Sequence, residues 1–465
     1  MRSRPRSMPA RPPLPPLLAV VLGVLSGALL VALVGAPISR SDGPDNARAA
    51  SSVEVTHVPP LLTAPGETVE LAYDAYCLPA ETDDDLPCHA TGSVHARTGG
   101  QGAFIEIPLR RDRFAPESRL VAILPERIAR SPLGFEYYAV IADPATGATT
   151  TLPSGGPSSP QRSIPLGKPI EVELGHHSFG ATRRADARVA WAHWGDGPFD
   201  AGLEQGRNLP PIGGASFDVA SEGTVVVLDE ANRRALRFEP GQSRPSAIPL
   251  DISGTIADLA LAPERLYVLE TVGGRGHEGA LRAFTASGRP LSLARLPERA
   301  YRVRIGPDRA PVLLSQGSSQ WVRAELPRTG SVARLRGGRA GRPLPDGREV
   351  VVLRTGDEIR VALLSPGGTA RTWRIRSATS VAEVQLAEPL GSRLVLVARL
   401  YTDTRDEFLV LVLGPTGVVE RFTVPAREWA ETAPLSRFRL AGSSLYQLGS
   451  MPEGLFVDRY DLEVK

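Results

Sequence analysis

Few residues in this chain have the types and spacing to do chemistry. Three acids, Asp218, Asp258 and Glu383, stand near the starts of short apolar segments. Acids, Asn or His converging on one axis are what a metal-assisted hydrolase or lyase needs. The sequence holds only 7 His. His176, His177 and His193 lie close together, but adjacent residues on a strand point to opposite faces, so His176 and His177 do not readily share one ion. Cys77, Cys88 and His89 lack a second Cys or His pair at zinc spacing. Asp83-Asp84-Asp85 reads as a solvated loop tip, because a hard cation needs several convergent oxygens. Gly274-x-Gly276-x-x-Gly279 has the letters of a dinucleotide fingerprint. The residues after it, Ala280–Phe284, read as a strand and offer no helix N-terminus to a pyrophosphate. Trp191-Ala192-His193-Trp194 reads as a strand with packed Trp rather than as an exposed binding strip. There is no GxSxG elbow and no P-loop. The expectation is therefore no catalytic residue, no metal and no cofactor.

The elements that must carry these residues follow from composition and pattern. Charged residues make up 22% of the 465 and the net charge is +2, which excludes the strong field of a nucleic-acid binder. The basic residues are almost all Arg, with Lys only at Lys168 and Lys465, as a high-GC coding bias produces. The 46 Gly and 43 Pro fit many turns between short strands. Outside the cytoplasm, Cys77 and Cys88 would form a disulfide clamping one loop, stabilising by about 2–3 kcal/mol.

Arg2, Arg4, Arg6 and Arg11 precede an apolar run from Leu17 to Ala36 broken only by Ser26. Twenty helical residues span about 30 Å, the thickness of a hydrocarbon core. The basic tail 1–16 should stay cytoplasmic, placing everything after the span outside. The run is longer than a usual signal-peptide core, which favours a retained anchor over 17–36. Ala47-Arg48-Ala49 keeps open the alternative of cleavage and secretion. Gly23 and Gly27 form a GxxxG pair through which two such helices could touch.

Residues 37–52 read as a polar spacer. From 53 to 152 the pattern alternates apolar and polar, as in Val69-Glu70-Leu71-Ala72-Tyr73 and Phe104-Ile105-Glu106-Ile107. The expected strands are Thr68–Tyr76, Gly92–Ala96, Ala103–Pro108, Arg119–Leu124 and Gly134–Asp143. About a hundred residues of evenly spaced strands suit a β-sandwich. Pro65-Gly66-Glu67-Thr68-Val69-Glu70-Leu71 and Gly134–Asp143 carry a resemblance to immunoglobulin-like or fibronectin type III-like domains. The cysteine spacing departs from antibody domains, whose bridge joins distant strands. Residues 153–169, rich in Pro, Ser and Gly, read as a linker.

From 170 to 465 a unit of three or four strands recurs about every forty residues, the signature of β-propeller blades. Copies start near Phe217, Leu259, Val303, Glu349, Ala382 and Ser436. They give six blades, with seven as the alternative. The strand Arg188–Trp194 is expected to pair with the last copy and latch the ring. In the first copy Gly223, Val225, Val227, Asp229, Asn232, Arg234 and Phe238 occur in the order of the NHL repeat, which this copy resembles. Asp229 and Asn232 suit a tight turn that tolerates left-handed backbone, and Leu236 and Phe238 should face the core between blades.

The expected protein is thus all-β: an N-terminal transmembrane helix, a β-sandwich and a β-propeller. Its expected role is a membrane-tethered, non-catalytic platform outside the cytoplasm that recognises a protein or a carbohydrate. A propeller hydrolase or lyase with a metal in the central channel is the alternative, and a purely structural envelope scaffold a third reading.

Overall fold

The computed structural model describes residues 52–463, except 65, 79–85, 88, 117, 207–209, 243, 253–254, 272–278, 317–318, 328–331, 368–369 and 431–435. The expected anchor residues Leu17, Gly23, Gly27 and Ala36, Cys88 and the acidic run Asp83–Asp85 lie outside the described residues. Among the described residues no helix is long and apolar enough to cross a membrane.

Residues Ala49–Lys465 form one compact unit. Its N-terminal part is two sheets packed face to face. One contains Ser52–His57, Glu70–Leu78, Arg119–Ile123 and Arg110–Arg111. The other contains Leu62–Thr63, Gln161–Pro165, Phe135–Ala142, Thr91–Thr98 and Ile105–Pro108. The period-two pattern explains the packing. Phe135, Tyr137, Ala139 and Ile141 alternate into one buried cluster with Leu71, Tyr73 and Ala75 from the facing sheet. The stretch 153–169, expected to be a linker, instead carries the strand Gln161–Pro165. Gln161, Arg162 and Ser163 pair antiparallel with Tyr137, Glu136 and Phe135, and Ile164 and Pro165 pair parallel with Leu62 and Thr63. Sheet pairing runs through backbone groups, so a segment too polar to build a core can still complete a sheet.

Residues 170–463 form a β-propeller of six sheets among the described residues. The first four run from Ser216–Val219 to Ser246–Pro249, Thr255–Ala262 to Pro290–Arg295, Ala300–Ile305 to Arg334–Arg339, and Arg342–Pro343 to Ala370–Arg376. The last two run from Val381–Leu390 to Gly417–Pro425 and from Phe438–Ala441 to Gly454–Asp461. Each is an antiparallel meander, and they are called blades one to six below. Ile170–Glu173 adds a parallel strand to the edge of blade four. Ala187–His193 pairs antiparallel with Gly454–Arg459, so an N-terminal strand closes the blade that holds the C-terminus.

Separate apolar clusters join blades one and two, two and three, four and five, five and six, and six and one. Leu236 and Phe238 face such a core, packed with Tyr446, Leu448, Leu455 and Val457 of blade six. No such cluster joins blade three to blade four among the described residues. The free face of blade four, with Val351, Leu353 and Ala362, packs instead on Leu62 and Leu166 of the sandwich. On the other side of this junction, Gln320 of blade three donates to the Pro160 carbonyl at 3.0 Å. The sandwich is thereby keyed into the ring where two blades do not share a core. Arg360 locks it there: its side chain, 7% exposed, donates to both Glu67 carboxylate oxygens at 2.6 and 2.8 Å and to the Leu62 carbonyl at 3.0 Å.

Candidate functional site

The innermost strands of blades one, two, three and six each bring a charged or hydroxyl side chain to the propeller axis. Asp258, wholly buried, is the hub. Its Oδ1 accepts from the Ser216 hydroxyl at 2.5 Å and the Ser436 hydroxyl at 3.2 Å. Its Oδ2 accepts from the Val303 amide at 3.0 Å and Arg304 Nη1 at 2.5 Å. Arg439 lies 3.6 Å from Oδ1 and donates through Nε to Asp218 at 3.1 Å. Asp218 also accepts from the Val219 and Leu261 amides at 2.9 and 2.8 Å.

The strands fold this way because Phe217, Leu259 and Val303 carry the blade-to-blade packing. Asp218, Asp258, Arg304 and Arg439 sit beside such apolar positions on short inner strands. Burial alone would raise the Asp258 carboxyl. The charges of Arg304 and Arg439, with the Ser216 hydroxyl and Val303 amide, override it and hold Asp258 below its ordinary value. It is a fixed anion with each oxygen taken by two donors. Such a group braces the axis; it is not poised to take a proton or bind a metal. Burial pulls Arg439 down to about 10, with the Arg304 charge acting in the same sense.

Toward blades four and five, Arg342 pairs with Glu388 at 2.6 Å and Gln385 donates to Glu383. Farther along blades five and six, Glu428 lies 2.9 Å from Arg437 and 3.2 Å from Arg399. Burial dominates there and raises the Glu428 carboxyl despite both arginines.

The three acids singled out in the sequence are only partly brought together. Asp218 and Asp258 share Arg439, whereas Glu383 belongs to blade five. The His residues do not converge. His177 bonds Glu407 at 2.9 Å, and His193 approaches the Glu453 carbonyl at 3.3 Å on blade six. Among the described residues no group of three or more His, Cys, Asp or Glu is placed to hold a metal. Ala280–Thr285 is a strand, as read after the glycine-rich segment. Trp194 is half-buried and its indole donates to the Met451 carbonyl at 2.9 Å. Cys77 is the last but one residue of the strand Glu70–Leu78, and its register sets it opposite Leu86.

Of the repeat-motif residues, Asp229, Asn232 and Arg234 build one turn, whereas Gly223 lies in the preceding turn and Phe238 packs in the core between blades. Asp229 accepts from the Gly202 amide at 3.0 Å, Asn232 Nδ2 at 3.0 Å and Arg234 Nε at 2.8 Å. Arg234 reaches the Gly197 and Asp200 carbonyls, and Asn232 the Gly195 carbonyl. The motif thus fastens the loop that leads from the latch strand into blade one. The left-handed residue of the turn is Arg233 (φ +50°), not Asp229 or Asn232, which act through their side chains. Gly223 is left-handed as well, at φ +91°.

No protein-family model matches the chain, and no curated protein matches it. Among solved structures it is similar to virginiamycin B lyase from Staphylococcus aureus, at 11% identity and a TM-score of 0.31 over 54% of this chain and 85% of the lyase. It is also similar to the PQQ-bound aldose sugar dehydrogenase from Streptomyces coelicolor, at 11% identity and a TM-score of 0.35 over 60% and 98%. A structure of YCF48 bound to D1 peptide matches at 14% identity and a TM-score of 0.30 over 61% and 98%. Likeness this low says nothing about substrate or activity. The fold rests on the strand topology.

The sequence reading missed Arg302, Arg304, Arg439, Ser216 and Ser436. A signal for them was present: each of several inner strands carries a charged residue beside an apolar one at a matching place in its repeat.

Proposed function

We propose that this chain is a non-catalytic binding protein, tethered to a membrane by residues 17–36, that presents its propeller outside the cytoplasm to a protein or carbohydrate partner. The observation that carries the non-catalytic part is the Asp258 hub. Asp218 and Asp258, two of the three acids that a metal-dependent hydrolase or lyase would use, are committed to Arg304, Arg439, Ser216 and Ser436. A rigid ring with loops at both ends is suited to recognition. The tether is supported by the basic residues before Leu17 and the length of the apolar run. Secretion after cleavage near Ala49 is the variant of this reading that keeps the same outward location. Within it, the sandwich is an immunoglobulin- or fibronectin III-like module, the first blade is an NHL-type repeat, and Cys77–Cys88 is a disulfide. Nucleic acid is not among the partners.

The test uses the full chain in cells. Alkaline-resistant membrane association, with residues after 52 open to external protease and an intact mass that includes residues 1–36, supports the tether. Recovery from the cytosol with both thiols alkylatable contradicts it. A panel of immobilised glycans and envelope proteins addresses the partner. Turnover of any of them by the purified chain would overturn the non-catalytic reading.

A further inference from the structure

Arg302 stands apart from the other axial arginines. It lies on the innermost strand of blade three, Ala300–Ile305. Val303, next to it, packs into the core shared with blade two, so Arg302 points to the opposite side, toward blade four. That is the junction without an apolar cluster of its own among the described residues. The charges that act on Arg302 come from four blades: Asp258 of blade two, Arg304 of its own strand, Arg342 of blade four and Glu383 of blade five. Those four blades approach one another at the axis, and the inner strand of blade three places Arg302 beside it. Arg302 is half-buried, so part of its surface stays open to a ligand. Arg304, Arg342 and Arg439 each have a carboxylate partner. The Arg302 side chain makes no hydrogen bond or ion pair with the described residues, although its backbone pairs in register with Leu314.

A half-buried guanidinium cannot shed its charge, and leaving it unpaired is costly. Proteins retain such a cost where the group has work to do. We propose that Arg302 is the binding group for a carboxylate on a ligand that enters the propeller lumen between blades three and four. The planar guanidinium fork matches a carboxylate through two parallel N–H···O bonds. The other charges acting on Arg302 offset one another, Arg304 and Arg342 against Asp258 and Glu383. One carboxylate therefore suffices to neutralise it, and a dianion such as phosphate would leave excess charge. A sugar acid and an acyclic acid present the same group. The site goes beyond the proposed function and rests neither on the membrane tether nor on the identity of a partner.

The experiment is calorimetric titration and thermal melting of the purified full chain at constant ionic strength. The probes are sodium glucuronate, sodium butyrate, inorganic phosphate and neutral glucose. At a hundredfold excess over the dissociation constant, carboxylate should raise the melting temperature by about 3 °C, and glucose should not. Glucuronate alone acting identifies a sugar acid, and both acids acting identifies any accessible carboxylate. Arg302→Met should abolish the response while the unliganded variant melts no lower than wild type, because an unpaired charge has been removed. Arg302→Lys keeps the charge without the fork and carries the test should Arg302→Met not fold; its carboxylate affinity should fall at least tenfold. Glu383→Gln removes a nearby acid and should tighten binding. The proposal is overturned by equal carboxylate binding in wild type and either Arg302 variant, by no response to either acid, or by phosphate binding more tightly than both.

Discussion

His57 shows how one residue can tie stability to pH. Its Nδ1 lies 2.7 Å from the Ala72 carbonyl and its Nε2 2.8 Å from the Tyr137 hydroxyl, with the ring stacked on Tyr73 at 4.2 Å. Burial lowers it from 6.5 to about 4, against the opposing pull of the Ala72 carbonyl. The unfolded chain therefore binds a proton that the folded chain refuses across that window. Stability is full above pH 6.5, falls as pH drops through the window, and levels off below about pH 4. The loss amounts to about 3 kcal/mol. Melting temperature measured from pH 7 to pH 4 should fall less steeply in His57→Gln than in wild type; parallel curves would remove His57 as the cause. The same scale shows why the axial site was only half legible. Asp218 and Asp258 could be picked out as acids on inner strands. That arginines from blades three and six would neutralise them depends on contacts about 45 and 180 residues apart in the chain, which periodicity cannot reveal.

Among the elements, the closing strand Ala187–His193 has the clearest consequence. It joins the ends of the ring by pairing with the last blade, and Arg188 adds a 2.8 Å bond to Asp458. Gly454 sits where a side chain has no room: a Cβ there would lie 2.2 Å from the Ala192 carbonyl oxygen. Gly454→Ala should lift the closing strand, lower the melting temperature by several degrees and open residues 174–186 to limited proteolysis. Unchanged proteolysis would show that ring closure does not depend on this pairing. The latch could be expected from sequence because its alternation matched a strand and the last repeat lacked one. The strand Gln161–Pro165 could not. Its Gln, Arg, Ser and Pro carry no apolar period, and only the exposed backbone of Phe135–Ser163 pairing gives it a place.

For the whole molecule, the sandwich and the propeller act as one body because Arg360 and the Leu62–Leu166 cluster join them. Burial raises Glu67, but Arg360 overrides it and holds the carboxyl below its ordinary value. The pairing therefore stabilises above the usual carboxylate range and is lost as pH falls through it. Arg360→Ala should cost about 2 kcal/mol, less than a fully buried pair because Glu67 is 34% exposed. Hydrogen exchange should rise first in residues 61–67 and 160–166. A variant melting like wild type would mean the two parts are coupled only through the chain. Six repeats were legible because each must bury two faces of a small sheet. The keyed junction of blades three and four was not, because it depends on which face of blade four meets segments about two hundred and about three hundred residues earlier.

If the axial acids brace the ring, Asp258→Asn must weaken it. The substitution keeps shape and removes the charge that Arg304 and Arg439 share. Melting of the full chain should then fall by about 5 °C, since breaking a buried pair leaves its partners unpaired. A melting temperature unchanged or raised, as when a residue is kept for chemistry at the expense of stability, would show that Asp258 does not brace the ring.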